Sequence, residues 1–195
     1  MKDRVHGEYI LKRRENLESM KYPQYISYLR EDFKYICAYC GKPEELSTKG
    51  FEIDHFVPRT FDKSKEDEYT NLVYSCFTCN RKKGSKWPTK LTNLPNDGKV
   101  GFIDPTTAQF DDALYRVEDG TIHWKNEVGK YMVEIAFKFD KRPIAEIYRA
   151  KKLINYKKKL SEMLDMNPNL EDFEKYKKLD IDLQEICSYL FGKKE

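Results

Sequence analysis

The chain has no apolar run near 20 residues, which excludes a membrane-spanning helix. It has no internal repeat and no low-complexity tract, so neither a repeat array nor a biased linker is indicated. Its first residues, Met1-Lys2-Asp3-Arg4-Val5-His6, lack the apolar segment of a secretory signal. From these absences we expect a cytoplasmic protein that has no membrane partner.

A large excess of positive charge is also missing, since 36 Lys and Arg face 33 Asp and Glu for a net charge of +3. The basic residues are nevertheless clustered. Residues 81–90 hold five basic side chains and no acid, and residues 141–159 hold eight against Glu146 alone. Such stretches can neutralise phosphates, although Lys157–Lys159 fit a solvated helix face better. No helix-turn-helix pattern is present, so base-specific reading is not indicated.

Cysteine is scarce, with five in the chain, but four of them form two Cys-x-x-Cys pairs. Such pairs suit a closed, tetrahedral structural zinc site. Disulfides and a redox Cys-x-x-Cys are the alternatives; the first is disfavoured without a secretory signal, the second because it needs no matching pair. The fifth cysteine, Cys187, is expected to be a small buried side chain in a helix. The predicted zinc ligands are Cys37, Cys40, Cys76 and Cys79.

Polar residues of a different chemistry lie between and after these pairs: Asp54-His55, Asn71-Leu72 and Asn80. An Asp, an Asn and a His can hold a hard cation beside a general base. Taken singly, each has a simpler explanation, because a lone His is usually structural and an Asn is often a turn residue. Together, between two zinc knuckles, they predict an active site. His123 is expected to be an ordinary strand residue and His6 a surface residue.

The segments Glu52–Pro58, Thr70–Val73, Cys76–Asn80 and Lys83-Gly84 resemble the HNH endonuclease family, in its four-cysteine zinc subgroup. The resemblance covers residues 37–87. It implies a ββα-metal fold, with the Asp-His pair on the first strand and the last metal ligand on the helix after the second knuckle. Asn80 stands where the family name has its final His, a variant that suits Mg²⁺.

The resemblance also implies roles for individual residues. Asp54 and Asn80 would hold one catalytic cation, Mg²⁺ or Mn²⁺, and His55 would act as general base on the attacking water. Asn71 would hydrogen-bond the His55 ring and orient it. Glu52 shares a strand face with Asp54, so it either assists the cation or is a solvated strand residue. Nucleic-acid contacts are expected from Arg59, Arg81, Lys82, Lys83 and Lys86.

The expected substrate is double-stranded DNA, and the residues alone leave an RNase open. The alternative function is a non-catalytic, zinc-stabilised nucleic-acid-binding or adaptor protein. The tail, with Gly101–Pro105 and an Asp-Gly hairpin, is similar to extensions on some bacterial HNH nucleases linked to mobile elements or anti-phage defence. That likeness suggests a partner ATPase, while a free-standing restriction-type nuclease or a homodimer fits equally well.

The predicted fold class is α+β, with a zinc-stabilised ββα core between N-terminal helices and a C-terminal extension of a hairpin and helices. We expect a helical segment at 1–36, the nuclease core at 37–90 and the extension at 91–195, packed on the core. In the first segment, residues 8–20 and a second stretch opened by Pro23 are predicted to be helical. In the extension, strands at 113–117 and 121–124 should pair, and helices should follow over 128–139, from Pro143, and after Asn169.

Overall fold

The structure, a computed structural model, describes residues 3–192 of the 195-residue chain. Helices and two small antiparallel sheets make it an α+β protein, as the sequence predicts. The chain divides into two compact units, Met1–Arg142 and Pro143–Glu195. Residues 91–142 belong to the first unit, and the two long helices make up the second.

The centre of the first unit is a two-stranded sheet followed by a helix. Strand β1 (Phe51–His55) pairs antiparallel with β2 (Leu72–Cys76), in a register that sets Asp54 opposite Val73 and His55 opposite Leu72. All five residues of β2 are buried, which suits its Leu-Val-Tyr sequence. The chain then passes directly into helix α2 (Phe77–Lys83). This strand, strand and helix order is the predicted ββα arrangement.

The first Cys-x-x-Cys turn lies before β1 and is closed by backbone hydrogen bonds. The amide of Gly41 donates to the carbonyl of Cys37 (2.8 Å), and the amide of Cys37 donates to the carbonyl of Lys42 (2.8 Å). Gly41 has a φ of +65°, and a Cβ there would lie 2.8 Å from the carbonyl oxygen of Val5. Only glycine fits this position, because both the backbone angle and the close approach exclude a side chain.

The N-terminal segment has neither helix nor strand between residues 8 and 20, so the helix expected there is wrong. Its charged side chains are used in long-range contacts: Arg13 donates to the carbonyl of Leu72 (2.8 Å) and to Asp104 (2.9 Å), and Arg14 donates to Asp32 (2.7 Å). Pairing with distant partners outweighs the helical preference of a charge-rich sequence. The second expected helix is confirmed as a 3₁₀ turn (Tyr22–Tyr25) that continues into α1 (Ile26–Asp32).

His6 was expected at the surface and is buried instead. Its Nε2 lies 2.6 Å from the carbonyl oxygen of Ala38, in the first cysteine turn, and its ring stacks on Phe110 at 5.2 Å between centroids. The carbonyl partner offsets the cost of burying a polar ring, and the phenyl ring packs against the imidazole face. The error arose because nothing in the local sequence signals a partner 32 residues away.

After the core, helix α3 (Ala108–Ala113) leads into the predicted hairpin of β3 (Leu114–Arg116) and β4 (Ile122–Trp124). His123 lies in β4, as expected. The side chain of Arg116 is buried and donates to the carbonyls of Val5 (3.2 Å), Cys40 (2.8 Å) and Gly120. This guanidinium joins the hairpin, the N-terminal segment and the first cysteine turn.

The helix predicted over residues 128–139 is present in part. Helix α4 (Glu127–Lys130) passes into a π-helix (Tyr131–Ala136), and a separate 3₁₀ turn follows (Phe139–Lys141). The wider π turn changes which side chains face inward. Met132 and Val133 are buried, whereas Ile135, which belongs to the predicted apolar face, is 55% exposed.

The second unit is a helical hairpin of α5 (Ile144–Met166) and α6 (Leu170–Phe191). Pro143 precedes the first helix and the break falls at Asn167–Asn169, both as predicted. Asn169 caps α6 by accepting from the amide of Asp172 (2.9 Å). Cys187 lies in α6 as expected, but it is only partly buried and not the buried side chain that was predicted. Across residues 3–192, no helix has the length and apolar character that crossing a membrane requires.

Candidate functional site

The four predicted zinc ligands meet in one buried cluster. The sulfurs of Cys37, Cys40, Cys76 and Cys79 all lie within 4.8 Å of one another. The sulfurs of Cys40 and Cys76 are 3.9 Å apart. Four sulfurs at about 2.3 Å from a central zinc would lie about 3.8 Å from each other. The spacing therefore fits a tetrahedral ion, and it is too long for a disulfide, whose sulfurs lie about 2.05 Å apart.

Two features stabilise this cluster besides its own turns. The amide of Ala38 donates to the carbonyl of Tyr74 (2.9 Å), which fixes the first cysteine turn to β2. The guanidinium of Arg142 donates to the sulfur of Cys79 (3.4 Å). Four thiolates around Zn²⁺ carry a net negative charge, and a nearby guanidinium offsets part of it. The cluster is therefore compatible with structural zinc in both geometry and charge.

The carboxylate of Asp54, near the end of β1, is buried and bound on both oxygens. The hydroxyl of Tyr39 donates to Oδ2 (2.5 Å), and the ammonium of Lys83 donates to Oδ1 (3.1 Å) and to the carbonyl of His55 (2.6 Å). Burial raises the pKa of the Asp54 carboxyl and lowers the pKa of the Lys83 amine, because each charged form has lost its water. Their mutual attraction opposes both shifts.

Lys83 is therefore not where the sequence analysis expected it. Its side chain is 0% exposed, and its ammonium lies over the ring of Phe102 at 5.6 Å. A lysine in this position cannot reach a phosphate at the surface, so the expected nucleic-acid contact is wrong. Its ammonium forms an ion pair with the Asp54 carboxylate instead. Spacing along the sequence could not show this, because Lys82 and Lys83 differ only in the face of α2 that they occupy.

His55 ends β1, and its imidazole is fixed by a backbone carbonyl. The Nε2 atom lies 2.9 Å from the carbonyl oxygen of Glu66. A carbonyl only accepts, so Nε2 must carry the proton, and in the neutral ring Nδ1 is then the unprotonated nitrogen. Burial lowers the pKa of His55, which favours this neutral form. The ring thus presents a proton-accepting atom on the side away from Glu66.

Asn71 does not bind the His55 ring as predicted. Its Oδ1 accepts from the amide of Val57 (2.8 Å), and its Nδ2 donates to the carbonyls of Val57 (3.1 Å) and Lys65 (3.1 Å). The side chain therefore closes the loop between β1 and β2 across its base. Because Lys65 is adjacent to Glu66, Asn71 acts on the imidazole indirectly, through the loop that supplies its carbonyl partner.

Asn80, in α2, is oriented by Glu52 of β1. Its Nδ2 donates to Oε2 of Glu52 (2.6 Å), and Arg81 lies 3.4 Å from the other oxygen of that carboxylate. Fixing the amide nitrogen also fixes where the carbonyl oxygen Oδ1 points, and that oxygen is the atom able to bind a cation. Glu52 is therefore not a free, solvated strand residue. Its carboxylate binds Asn80 and Arg81, and it orients the Asn80 amide.

An open cavity of about 460 Å³ brings these residues together. It is lined by Asp54, His55 and Asn80, the three residues predicted to perform the chemistry, and by Arg59 and Arg81, two of the predicted nucleic-acid contacts. Asn71 and Lys83 lie behind it and support it. A base, two hard oxygen donors and two guanidiniums around one opening can bind a phosphodiester and activate water beside it.

Residues 37–86 match the family model described as HNH endonuclease. These residues form an HNH endonuclease domain. No curated protein and no solved structure matches the chain.

The HNH domain receives support from residues on both sides of it. Tyr22, which precedes the domain, lines the cavity with Asp54 and His55. Phe137, which follows it, packs at 4.6 Å between ring centroids against Tyr39, whose hydroxyl donates to the Asp54 carboxylate. Such contacts are invisible to motif spacing, because they depend on how distant segments pack.

Proposed function

We propose that this protein is a metal-dependent HNH endonuclease that hydrolyses phosphodiester bonds in double-stranded DNA. The observation that carries the proposal is the single cavity that brings Asp54, His55 and Asn80 together with Arg59 and Arg81. An HNH domain supports a nucleic-acid substrate in general. The choice of DNA over RNA, and of two strands over one, follows the family resemblance and is part of the proposal.

His55 acts as the general base. Its Nε2 proton is held by the carbonyl of Glu66, so Nδ1 takes a proton from the attacking water. The lowered pKa of the ring keeps it neutral, and therefore ready to accept a proton, near physiological pH. The nearby guanidiniums of Arg59 and Arg81 bind the phosphate of the substrate.

Asp54 and Asn80 are the residues that would hold the divalent cation. Each oxygen of Asp54 accepts one hydrogen bond and retains a lone pair, and the amide of Asn80 is turned by Glu52. One carboxylate and one amide oxygen form a hard donor set, and Mg²⁺ commonly binds through few protein ligands. A bound Mg²⁺ or Mn²⁺ would supply charge stabilisation at the phosphate.

The four-cysteine cluster would hold zinc in a purely structural role, because all four ligand positions are filled by cysteine. Away from the cavity, Lys82 in α2 and Lys86 just after this helix extend the positive surface. Burial lowers the pKa of Lys86, and the positive charges of Lys82 and Lys138 lower it further. Three mutually repelling ammonium groups attract a polyanion, so we assign this cluster to the DNA backbone.

The test is cleavage of supercoiled plasmid by purified protein with Mg²⁺, with Mn²⁺ or with EDTA. We expect metal-dependent relaxation, and we expect His55→Ala to lower the rate by about 10²- to 10⁴-fold while folding and zinc content stay unchanged. His123→Ala is the matched control, since His123 lies in β4, outside the cavity lining. A His55→Ala protein that cuts as fast as the parent would overturn the proposal.

The second candidate function is a non-catalytic, zinc-stabilised adaptor that binds nucleic acid. Burial of Lys83 against Asp54 favours it, because that ammonium already neutralises the carboxylate. A folded, zinc-loaded parent that binds DNA but never cuts it, with either metal, would support the adaptor. A matched RNA substrate in the same assay would reveal an RNase.

For the biological role we propose a cytoplasmic restriction or anti-phage defence nuclease, working with a partner ATPase or as a homodimer. A monomer with one cavity would nick the plasmid, whereas a dimer could cut both strands. The ratio of open-circle to linear product therefore reports on the assembly that is active.

A further inference from the structure

Tyr22 stands out because it lies outside the HNH domain yet contributes to the wall of the cavity. Its ring meets the His55 imidazole edge to face, with 4.8 Å between centroids and an interplanar angle of 69°. This is the favourable geometry for two aromatic rings. Besides the carbonyl of Glu66, Tyr22 is therefore a second restraint on the orientation of the imidazole.

The same tyrosine also contacts the nearest guanidinium. Arg59 donates to the hydroxyl of Tyr22 (3.4 Å), and its guanidinium lies 5.6 Å from the centre of the tyrosine ring. Arg59 is further held by Glu66 at 3.1 Å. Tyr22 thus touches two groups of different function, the proposed base and a proposed phosphate contact.

Tyr22 is itself held in place by the loop that orients His55. Its amide donates to Oδ1 of Asp67 (2.9 Å), and the ammonium of the preceding Lys21 binds Oδ2 of the same carboxylate (2.9 Å). Asp67 directly follows Glu66, whose carbonyl binds the imidazole. Two consecutive loop residues therefore fix the tyrosine and the histidine relative to each other.

We propose that Tyr22 is a positioning residue of the nuclease site, whose ring orients His55 and whose hydroxyl orients Arg59. The proposal rests on the proposed function. It predicts that ring and hydroxyl have separable effects: the ring acts on the chemical step through the base, and the hydroxyl acts on substrate binding through the arginine.

The experiment compares Tyr22→Phe and Tyr22→Ala with the parent in steady-state DNA cleavage. Tyr22→Phe keeps the ring, so kcat should stay within about twofold while KM rises about threefold, the effect of one weak hydrogen bond. Tyr22→Ala removes both contacts, so kcat should also fall, by about tenfold or more, because a misplaced base is costly. Tyr28→Ala is the matched control, since Tyr28 packs against Arg14 at 5.0 Å and does not line the cavity.

A readout that does not depend on cleavage is the proton NMR spectrum of the histidine rings. The chain has three histidines, and the ring current of Tyr22 should shift the signals of His55 alone. Those signals should move in Tyr22→Ala and stay near their positions in Tyr22→Phe. Zinc content and circular dichroism identify any variant that fails to fold, in which case Tyr22→Phe alone carries the test through its split between kcat and KM.

The two proposals fail in different ways. A parent that cuts no substrate overturns the proposed function. A parent that cuts, paired with a Tyr22→Ala variant of unchanged kcat and KM, overturns only the role of Tyr22. Equal loss of kcat in Tyr22→Phe and Tyr22→Ala would contradict the proposal that the ring orients His55 while the hydroxyl orients Arg59.

Discussion

The four-cysteine cluster and the cavity lined by Asp54, His55 and Asn80 are neighbours, since Cys79 and Asn80 are consecutive residues of α2, but they are held in different ways. The cluster takes two ligands from the Cys37–Cys40 turn and two from the junction of β2 and α2, and it is buried throughout. The cavity is open and depends on hydrogen bonds from scattered residues: Asp54 on Tyr39 and Lys83, Asn80 on Glu52. One site is fixed by local geometry and the other by packing, so the two should respond differently to substitution.

The largest effect is expected from breaking the cluster. Cys76→Ser removes one of four zinc ligands, and structural zinc contributes about 10–16 kcal/mol to the folding of small zinc domains. We expect loss of bound zinc and of the cooperative thermal transition of the first unit, measured by metal analysis and circular dichroism. Cys187→Ser is the control and should change neither, because Cys187 lies outside the cluster. Full zinc content in Cys76→Ser would show that the cluster is not the metal site.

A smaller effect is expected behind the cavity, at the buried ion pair. Lys83→Met leaves the Asp54 carboxylate buried without its counter-charge, which should lower the free energy of unfolding by about 3–5 kcal/mol. Both side chains are nearly inaccessible, at 0% and 5% exposure, so solvent offers little compensation. Urea denaturation measures the change. Lys82→Met, one position earlier on the exposed side of α2, should stay within about 0.5 kcal/mol of the parent.

If the two lysine variants unfold at the same urea concentration, the Lys83 ammonium is not buried against Asp54. Zinc content should remain complete in both variants. Complete zinc content in a destabilised Lys83→Met protein would show that the Lys83–Asp54 ion pair stabilises the cavity without being needed for the cysteine cluster, although Lys83 and Cys79 lie on the same helix.

The smallest stability change is expected at Asn71. Asn71→Ala removes three hydrogen bonds that close the loop before β2, at a cost of about 1–3 kcal/mol. The cleavage rate should fall by about tenfold or more, since the carbonyl of Glu66 then loses its fixed place beside His55. Asn96→Ala is the control: Asn96 also binds a backbone carbonyl, that of Phe102 (3.1 Å), away from the cavity. Its variant should lose stability without losing rate.

The contrast between the two sites also explains which predictions from the sequence succeeded. The cysteine cluster was predictable because a Cys-x-x-Cys turn dictates where its own two sulfurs go. The ββα order was expected from the family resemblance, and the Asp-Gly hairpin was predictable because its strand and turn residues are local signals. Asp54, His55 and Asn80 were brought together as expected, since the motif sets their positions on β1 and α2.

The failures share one cause, which is that each side chain binds a partner that spacing along the sequence does not identify. Asn71 binds backbone of its own loop rather than the imidazole, Lys83 turns inward to Asp54, and His6 packs against the first cysteine turn. None of these partners is marked in the neighbouring sequence. Residues 8–20 show the same effect at the level of secondary structure. Their arginines bind Leu72 and Asp32, which lie outside this segment.

Arg116 sets a limit on how far this HNH domain can be transplanted. Its guanidinium joins the carbonyls of Val5 and Cys40, which lie 111 and 76 residues away along the chain. A fragment cut at the ends of the HNH domain would therefore expose the Cys40 carbonyl and lose the N-terminal segment as well. Anyone grafting the catalytic motif onto another scaffold should carry over the hairpin arginine and its N-terminal partner, or supply a replacement for both.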